Sequence, residues 1–151
     1  MLTEEMWGES ALFPYSEGRV RKMITLATEP QAHVPTSPIV VIGVIGEPGQ
    51  VEASTGLIAS QFWYTEAWHI EDVWHFVCPK HRKTKHSKHL LNFSKEVQKS
   101  LALPLVMGVL SDVRTEAKAR LYSREFGKPV GAVFVWPTVQ TLKQQIKAKA
   151  A

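Results

Sequence analysis

Cysteine is nearly absent: Cys78 is the only one in 151 residues. No disulfide can form within the chain, which excludes a small secreted scaffold held by cross-links and fits a reducing compartment. Long apolar runs are also missing. The longest, Ile39 to Ile45, is interrupted by Gly43 and falls far short of the roughly 20 residues that span a bilayer. The opening Met-Leu-Thr-Glu-Glu-Met-Trp has neither the basic flank nor the apolar stretch of a signal peptide. The expectation is a soluble, cytoplasmic protein with no membrane partner. Acidic residues are missing from one place in particular. Lys80 to Lys88 holds five basic side chains and no acid, so a chain of net charge +4 leaves −1 on its other 142 residues. No internal repeat or low-complexity tract is present. A composition 44% hydrophobic and 21% charged is that of an ordinary globular protein. The length suits one domain whose core needs no staples.

Apolar residues then place the elements. Val20, Met23, Ile24 and Leu26 recur near helical spacing and predict an amphipathic helix over Glu17 to Ala27. A proline-rich loop follows. Ile39 to Ile45 reads as a strand, Glu47-Pro48-Gly49-Gln50 as a turn, and Val51 to Phe62 as the second arm of a hairpin. A third strand is expected over Ile70 to Val77, with Val73, His75 and Val77 on one face and Trp74 and Phe76 on the other. By that alternation Asp72 sides with Trp74 and Phe76, and Glu71 with Val73 and His75. A helix from Ser87 with a Leu90, Leu91, Ser94, Val97, Leu101 stripe comes next. A strand buried on both faces is expected at Leu105 to Leu110, then a helix from Thr115 to Phe126 ended by Gly127, and a last strand at Gly131 to Trp136. The order predicts an α/β domain with a mixed sheet over 1–137 and a basic tail over 138–151.

The segment Phe76 to Lys88 ends a strand, turns, and begins a helix. Amides at a helix N-terminus point outward without partners and carry about half a positive charge, so such a junction attracts anions. Five cations in the same loop strengthen that field, and a pyrophosphate is a sensible ligand; a merely solvated basic loop is the plainer alternative. Val77-x-Pro79-x-x-Arg82 followed by Leu90-Leu91 resembles the acyl-CoA-binding motif of the GNAT superfamily of N-acetyltransferases. Leu121-Tyr122-x-x-x-x-Gly127 is similar to a second signature of that family. The resemblance spans Val20 to Trp136. The Arg- and Lys-rich loop resembles compact members often encoded by tailed phages, which would make a virion-associated location an option.

The resemblance implies a GNAT-like mixed α+β fold with a truncated N-terminal strand, and acetyl-CoA as co-substrate. Backbone groups of Phe76, Val77 and Cys78 would pair with the pantetheine arm. Amides of Arg82, Lys83, Thr84, Lys85, His86 and Ser87 would cradle the pyrophosphate. Tyr122 would protonate the departing thiolate, and Glu71 or Asp72 would take the proton of an unknown primary amine. Transfer would be direct, without a covalent enzyme intermediate. Lys83, Lys85 and Ser87 stand where the family places glycines, which normally let backbone approach phosphate closely. A catalytically inactive GNAT-like assembly protein is therefore the rival reading, and a shortened sheet with exposed edges points to a homo-oligomer or larger assembly.

Other chemistries weigh less. Cys78-x-x-His81 with His86-x-x-His89 has tolerable zinc spacing, but five neighbouring cations oppose a divalent ion and no second knuckle exists, so no metal is expected. Five clustered charges without a nucleic-acid module argue against nucleic acid. Trp63, Tyr64 and Trp68 are expected to cover the core rather than line a groove.

Overall fold

The computed structural model describes residues 16–28, 39–111 and 113–136, together with Thr141, Gln144, Gln145 and Ala148. The elements are α1 (Glu17–Thr28), β1 (Val40–Glu47), β2 (Gln50–Gln61), β3 (Trp68–Val77), a 3-10 turn (Pro79–His81), α2 (His86–Leu101), β4 (Leu105–Val106) and α3 (Thr115–Phe126). The chain separates into two compact units. One is Glu17–Gly108; α3 belongs to the other.

The sheet of the first unit has the order β1-β2-β3-β4. β1 and β2 form a hairpin closed by Pro48-Gly49. Proline presets φ near about −65° and Gly49 takes φ +83°, the combination a type II turn demands. β3 runs antiparallel to β2, and β4 parallel to β3. The mixed sheet and flanking helices are the α/β architecture expected from the sequence.

Cross-strand partners share a face, so the register sorts the core. Gly43, Thr55 and His75 are aligned across β1, β2 and β3. Their face meets α2: the Phe93 ring lies where a Gly43 Cβ would stand, and His75 Nε2 is 2.8 Å from Ser87 Oγ. Ala53, Leu57, Ala59 and Ile70 fall on the same face, all buried, opposite Leu90, Leu91 and Ser94 of α2. Ser94 is buried with its hydroxyl satisfied, donating to the Leu90 carbonyl one turn back. α2 ends at Ala102, which takes the left-handed conformation at φ 53°.

Two β-bulges interrupt the register. In β2, Ile45 faces Ala53 and Gly46 faces Val51, so Glu52 is the extra residue. Gly46 sits at φ +128°, with the Gln50 carbonyl where a Cβ would project, and only glycine fits there. In β3, Leu57 faces Asp72 and Gly56 faces Trp74, so Val73 is the extra residue.

The second bulge corrects the faces read from simple alternation. Asp72, paired with Leu57, lies on the α2 face with His75. Glu71, paired with Ile58, lies on the opposite face with Trp74 and Phe76. An added residue shifts the period of two, so alternation extrapolated across Val73 inverts. Two further expectations fail. β4 covers two residues rather than six, is not buried on both faces, and leaves Val106 and Leu110 exposed. Gly131 to Trp136 is not a strand: Val133, Phe134 and Trp136 are exposed and no described strand pairs with them. β-branched and aromatic residues become a strand only with a partner to pack and bond against. The expected lack of a first strand falls before residue 16, and most of the expected tail after 136, both outside the described residues.

Candidate functional site

β3 and β4 pair only at Ile70–Leu105 and Glu71–Val106. One residue further on, Asp72 Oδ1 accepts a hydrogen bond from the Gly108 amide at 2.8 Å, so a side chain replaces the ladder where the strands part. Beyond Glu71 no strand among the described residues pairs with that edge of β3. The edge leads directly into the 3-10 turn.

Cys78 is the hinge between strand and turn. Its amide donates to the Glu52 carbonyl of β2 at 2.9 Å, and its buried Sγ to the Val51 carbonyl at 3.3 Å. A trans peptide points its C=O and the following N–H in opposite directions, so the Val77 carbonyl faces away from β2, onto the open edge. Arg82 Nε reaches it there at 3.3 Å. Of the three residues expected to pair with a pantetheine arm, Cys78 thus spends its amide on β2, and Val77 lends its carbonyl to Arg82.

The loop amides fall into two sets. Those of His81, Arg82 and Thr84 close turns onto Cys78, Pro79 and His81 carbonyls, and the His86 amide bonds Thr84 Oγ1 at 3.2 Å. Amides of Lys83, Lys85 and Ser87 have no protein acceptor among the described residues. They alternate with the bonded ones and lie at the start of α2, whose N-cap Lys85 supplies no capping side chain. No residue from Cys78 to Lys88 has a positive φ. The loop therefore does not require the conformational freedom of glycine, and lysines occupy the glycine positions without backbone strain. The side chains of Lys80, Lys83, Lys85 and Lys88 are exposed. Ser87 has a separate task, since its hydroxyl ties the first turn of α2 to His75 on β3.

The two acidic candidates have different surroundings. Asp72 is held by Gly108. Glu71, its side chain 43% exposed, accepts a bond from Ser60 Oγ at 2.9 Å and lies 3.8 Å from Nε2 of the buried His69. His69 stacks on Phe62 at 4.0 Å. Tyr122 is half-buried on α3, edge-on to Phe126 at 5.9 Å, in the other unit. Trp63, Tyr64 and Trp68, expected over the core, are exposed instead. Trp63, on the loop between β2 and β3, is 95% exposed.

The sequence reading missed Glu52. Its Oε2 lies 2.6 Å from His86 Nε2 and 3.3 Å from His81 Nδ1, so the β2 bulge, the 3-10 turn and α2 converge on one carboxylate. No local signal could reveal it, because Glu52 is 29 positions before His81 and a bulge sets its aim.

No protein-family model matches the chain, and no curated protein matches it either. Solved structures do. An aminoglycoside acetyltransferase from an uncultured soil metagenomic sample superposes with a TM-score of 0.60 at 11% identity, over 91% of this chain and 83% of that one. A Trypanosoma brucei acetyltransferase gives 0.60 at 14% identity, over 91% and 90%. A GNAT family acetyltransferase of Staphylococcus aureus gives 0.50 at 15% identity, over 83% and 78%. The chain has the fold of the GNAT acetyltransferases.

Proposed function

We propose that the protein is an N-acetyltransferase that moves an acetyl group from acetyl-CoA to a primary amine. The observation that carries this reading is the set of amides at Lys83, Lys85 and Ser87 without a protein acceptor among the described residues, at the end of a strand whose edge is open, in a fold shared with acetyltransferases. Backbone N–H groups at a helix start suit a pyrophosphate, and exposed lysines beside them add charge without having to be buried. The pantetheine arm lies along the open edge of β3 as an added strand.

Chemistry follows from the two ends of the transfer. An ammonium is no nucleophile, so the acceptor must lose a proton before its nitrogen attacks the thioester carbonyl. Glu71 is the better base, directly or through water, because its carboxylate is partly open to solvent while that of Asp72 holds Gly108. A C–N bond forms and the C–S bond breaks. The thiolate takes a proton from the Tyr122 hydroxyl, which water restores. Asp72 acts as a positioning residue that ties the segment after β4 to β3 where the backbone ladder ends.

Calorimetric titration with acetyl-CoA and with CoA tests the proposal. Saturable binding in the micromolar range is expected. No heat at millimolar ligand and low salt would overturn it and leave a GNAT-like fold kept for assembly.

A further inference from the structure

Glu52, His81 and His86 each offer one metal-ligating atom, and these atoms all lie within 4.8 Å of one another. We infer that this trio is a binding site for a divalent transition-metal ion of the kind that imidazole prefers, with Zn2+ as the type case. The site lies beyond the acetyltransfer reading and does not depend on it.

The donor set has the right chemistry. Two neutral imidazoles and one carboxylate match the nitrogen and oxygen ligands of zinc, and three protein ligands leave at least one position open. Bonds of about 2.05 Å in a tetrahedron put neighbouring ligand atoms about 3.3 Å apart. The Glu52 Oε2 to His81 Nδ1 separation is 3.3 Å already. His86 Nε2, now 2.6 Å from the same oxygen, must withdraw by about 0.7 Å to reach that spacing. The imidazole rings of His81 and His86 have centroids 5.7 Å apart and are tilted by 37°, so both can face one ion without stacking.

Burial and backbone support the same conclusion. The side chains of His81, His86 and Glu52 are 22%, 17% and 35% exposed, so the donors are shielded yet reachable. Glu52 is the extra residue of a β-bulge, a device that re-aims a side chain. Its carbonyl holds the Cys78 amide, which fixes the carboxylate relative to the turn bearing His81. The five nearby cations do not oppose an ion here. The four lysines among them are exposed and screened by solvent and salt, and Arg82 is turned to the Val77 carbonyl. The sulfur that spacing suggested as a ligand is not part of the set: Cys78 donates to Val51, and His89 is exposed outside the trio.

A metal here joins β2, the 3-10 turn and the first turn of α2, thereby clamping both ends of the basic loop. The plainer alternative is a carboxylate accepting two imidazole N–H bonds with no ion. Titration of the tag-free, chelator-treated protein with Zn2+ separates the two. One saturable site with a raised melting temperature is expected, with affinity about tenfold or more weaker in His86→Gln and in His81→Ala, and unchanged in His89→Ala. His86→Gln keeps a hydrogen-bond donor for Glu52, so it reports ligation rather than lost folding. Co2+ in place of Zn2+ should give the visible band of a four-coordinate ion. Absence of saturable binding at 1 mM Zn2+, or equal affinity in wild type and His81→Ala/His86→Gln, would overturn the inference.

Discussion

A methyl group at position 56 tests the packing behind the open strand edge. A Cβ on Gly56 would stand 2.4 Å from Cη2 and Cζ3 of Trp74 and 2.5 Å from its Cε3, well inside contact distance. The indole would have to retreat by about 1 Å, and overpacking of this kind costs about 1–3 kcal/mol. It is not free to retreat without loss, because its Nε1 donates to Ser54 Oγ at 3.1 Å. Weakening that bond adds about 0.5–1.5 kcal/mol, while the lower chain entropy of alanine in the unfolded state returns about 0.4–1 kcal/mol. Gly56 has no positive φ, so backbone strain does not enter. Gly56→Ala should therefore lose about 1–3 kcal/mol, or about 3–10 °C in melting temperature for a chain of this size. Urea and thermal unfolding measure it. In a Trp74→Ala background the clash is gone, and the same methyl should be neutral or stabilising. The two substitutions must then couple rather than add. A Gly56→Ala protein as stable as wild type, or strict additivity in the cycle, would refute the reasoning.

Reversing one loop charge, Lys85→Glu, should weaken acetyl-CoA by about tenfold at low salt, and the difference should shrink as salt screens the exposed site; an effect independent of ionic strength would mean that Lys85 does not act by charge. Tyr122→Phe should lower kcat about a hundredfold while leaving CoA affinity within about twofold; equal turnover in the two proteins removes the hydroxyl from the reaction.

Much of the fold was legible because most elements signal locally. The helical spacing of Val20, Met23 and Leu26 marks α1, Pro48-Gly49 marks the hairpin turn, and Leu90-Leu91 with Ser94 marks the buried stripe of α2. The 3-10 turn begins at Pro79, where the lack of an amide ends β3. What failed depended on partners that lie elsewhere in the chain. Apolar character at Leu105 to Leu110 and at Gly131 to Trp136 reads as strand, yet pairing decides, and among the described residues only Leu105–Val106 finds a neighbour. Simple alternation inverts the faces of Glu71 and Asp72 for a similar reason. Val73 resembles any strand valine, and only its place opposite β2 reveals the extra residue. Glu52 was invisible for both reasons at once, being distant in sequence and re-aimed by a bulge.

The lysine-for-glycine exchange, the strongest objection that sequence raises to an anion site, changes meaning once the backbone is known. Glycine can be required for three physical reasons: a positive φ, a close approach of backbone to ligand, or a neighbour in the way of a Cβ. The first does not apply, since the loop has no left-handed residue. The third is met by outward projection, since Lys83 and Lys85 are exposed. Only the second remains, and alternation answers it in part. Turn bonds consume the amides of Arg82, Thr84 and His86 and fix the loop, while those of Lys83, Lys85 and Ser87 are left for a ligand. The residues that replace the glycines are those whose amides remain available. Charge and backbone donors therefore come from the same positions, so removing a lysine side chain tests the charge while the N–H it accompanies stays in place.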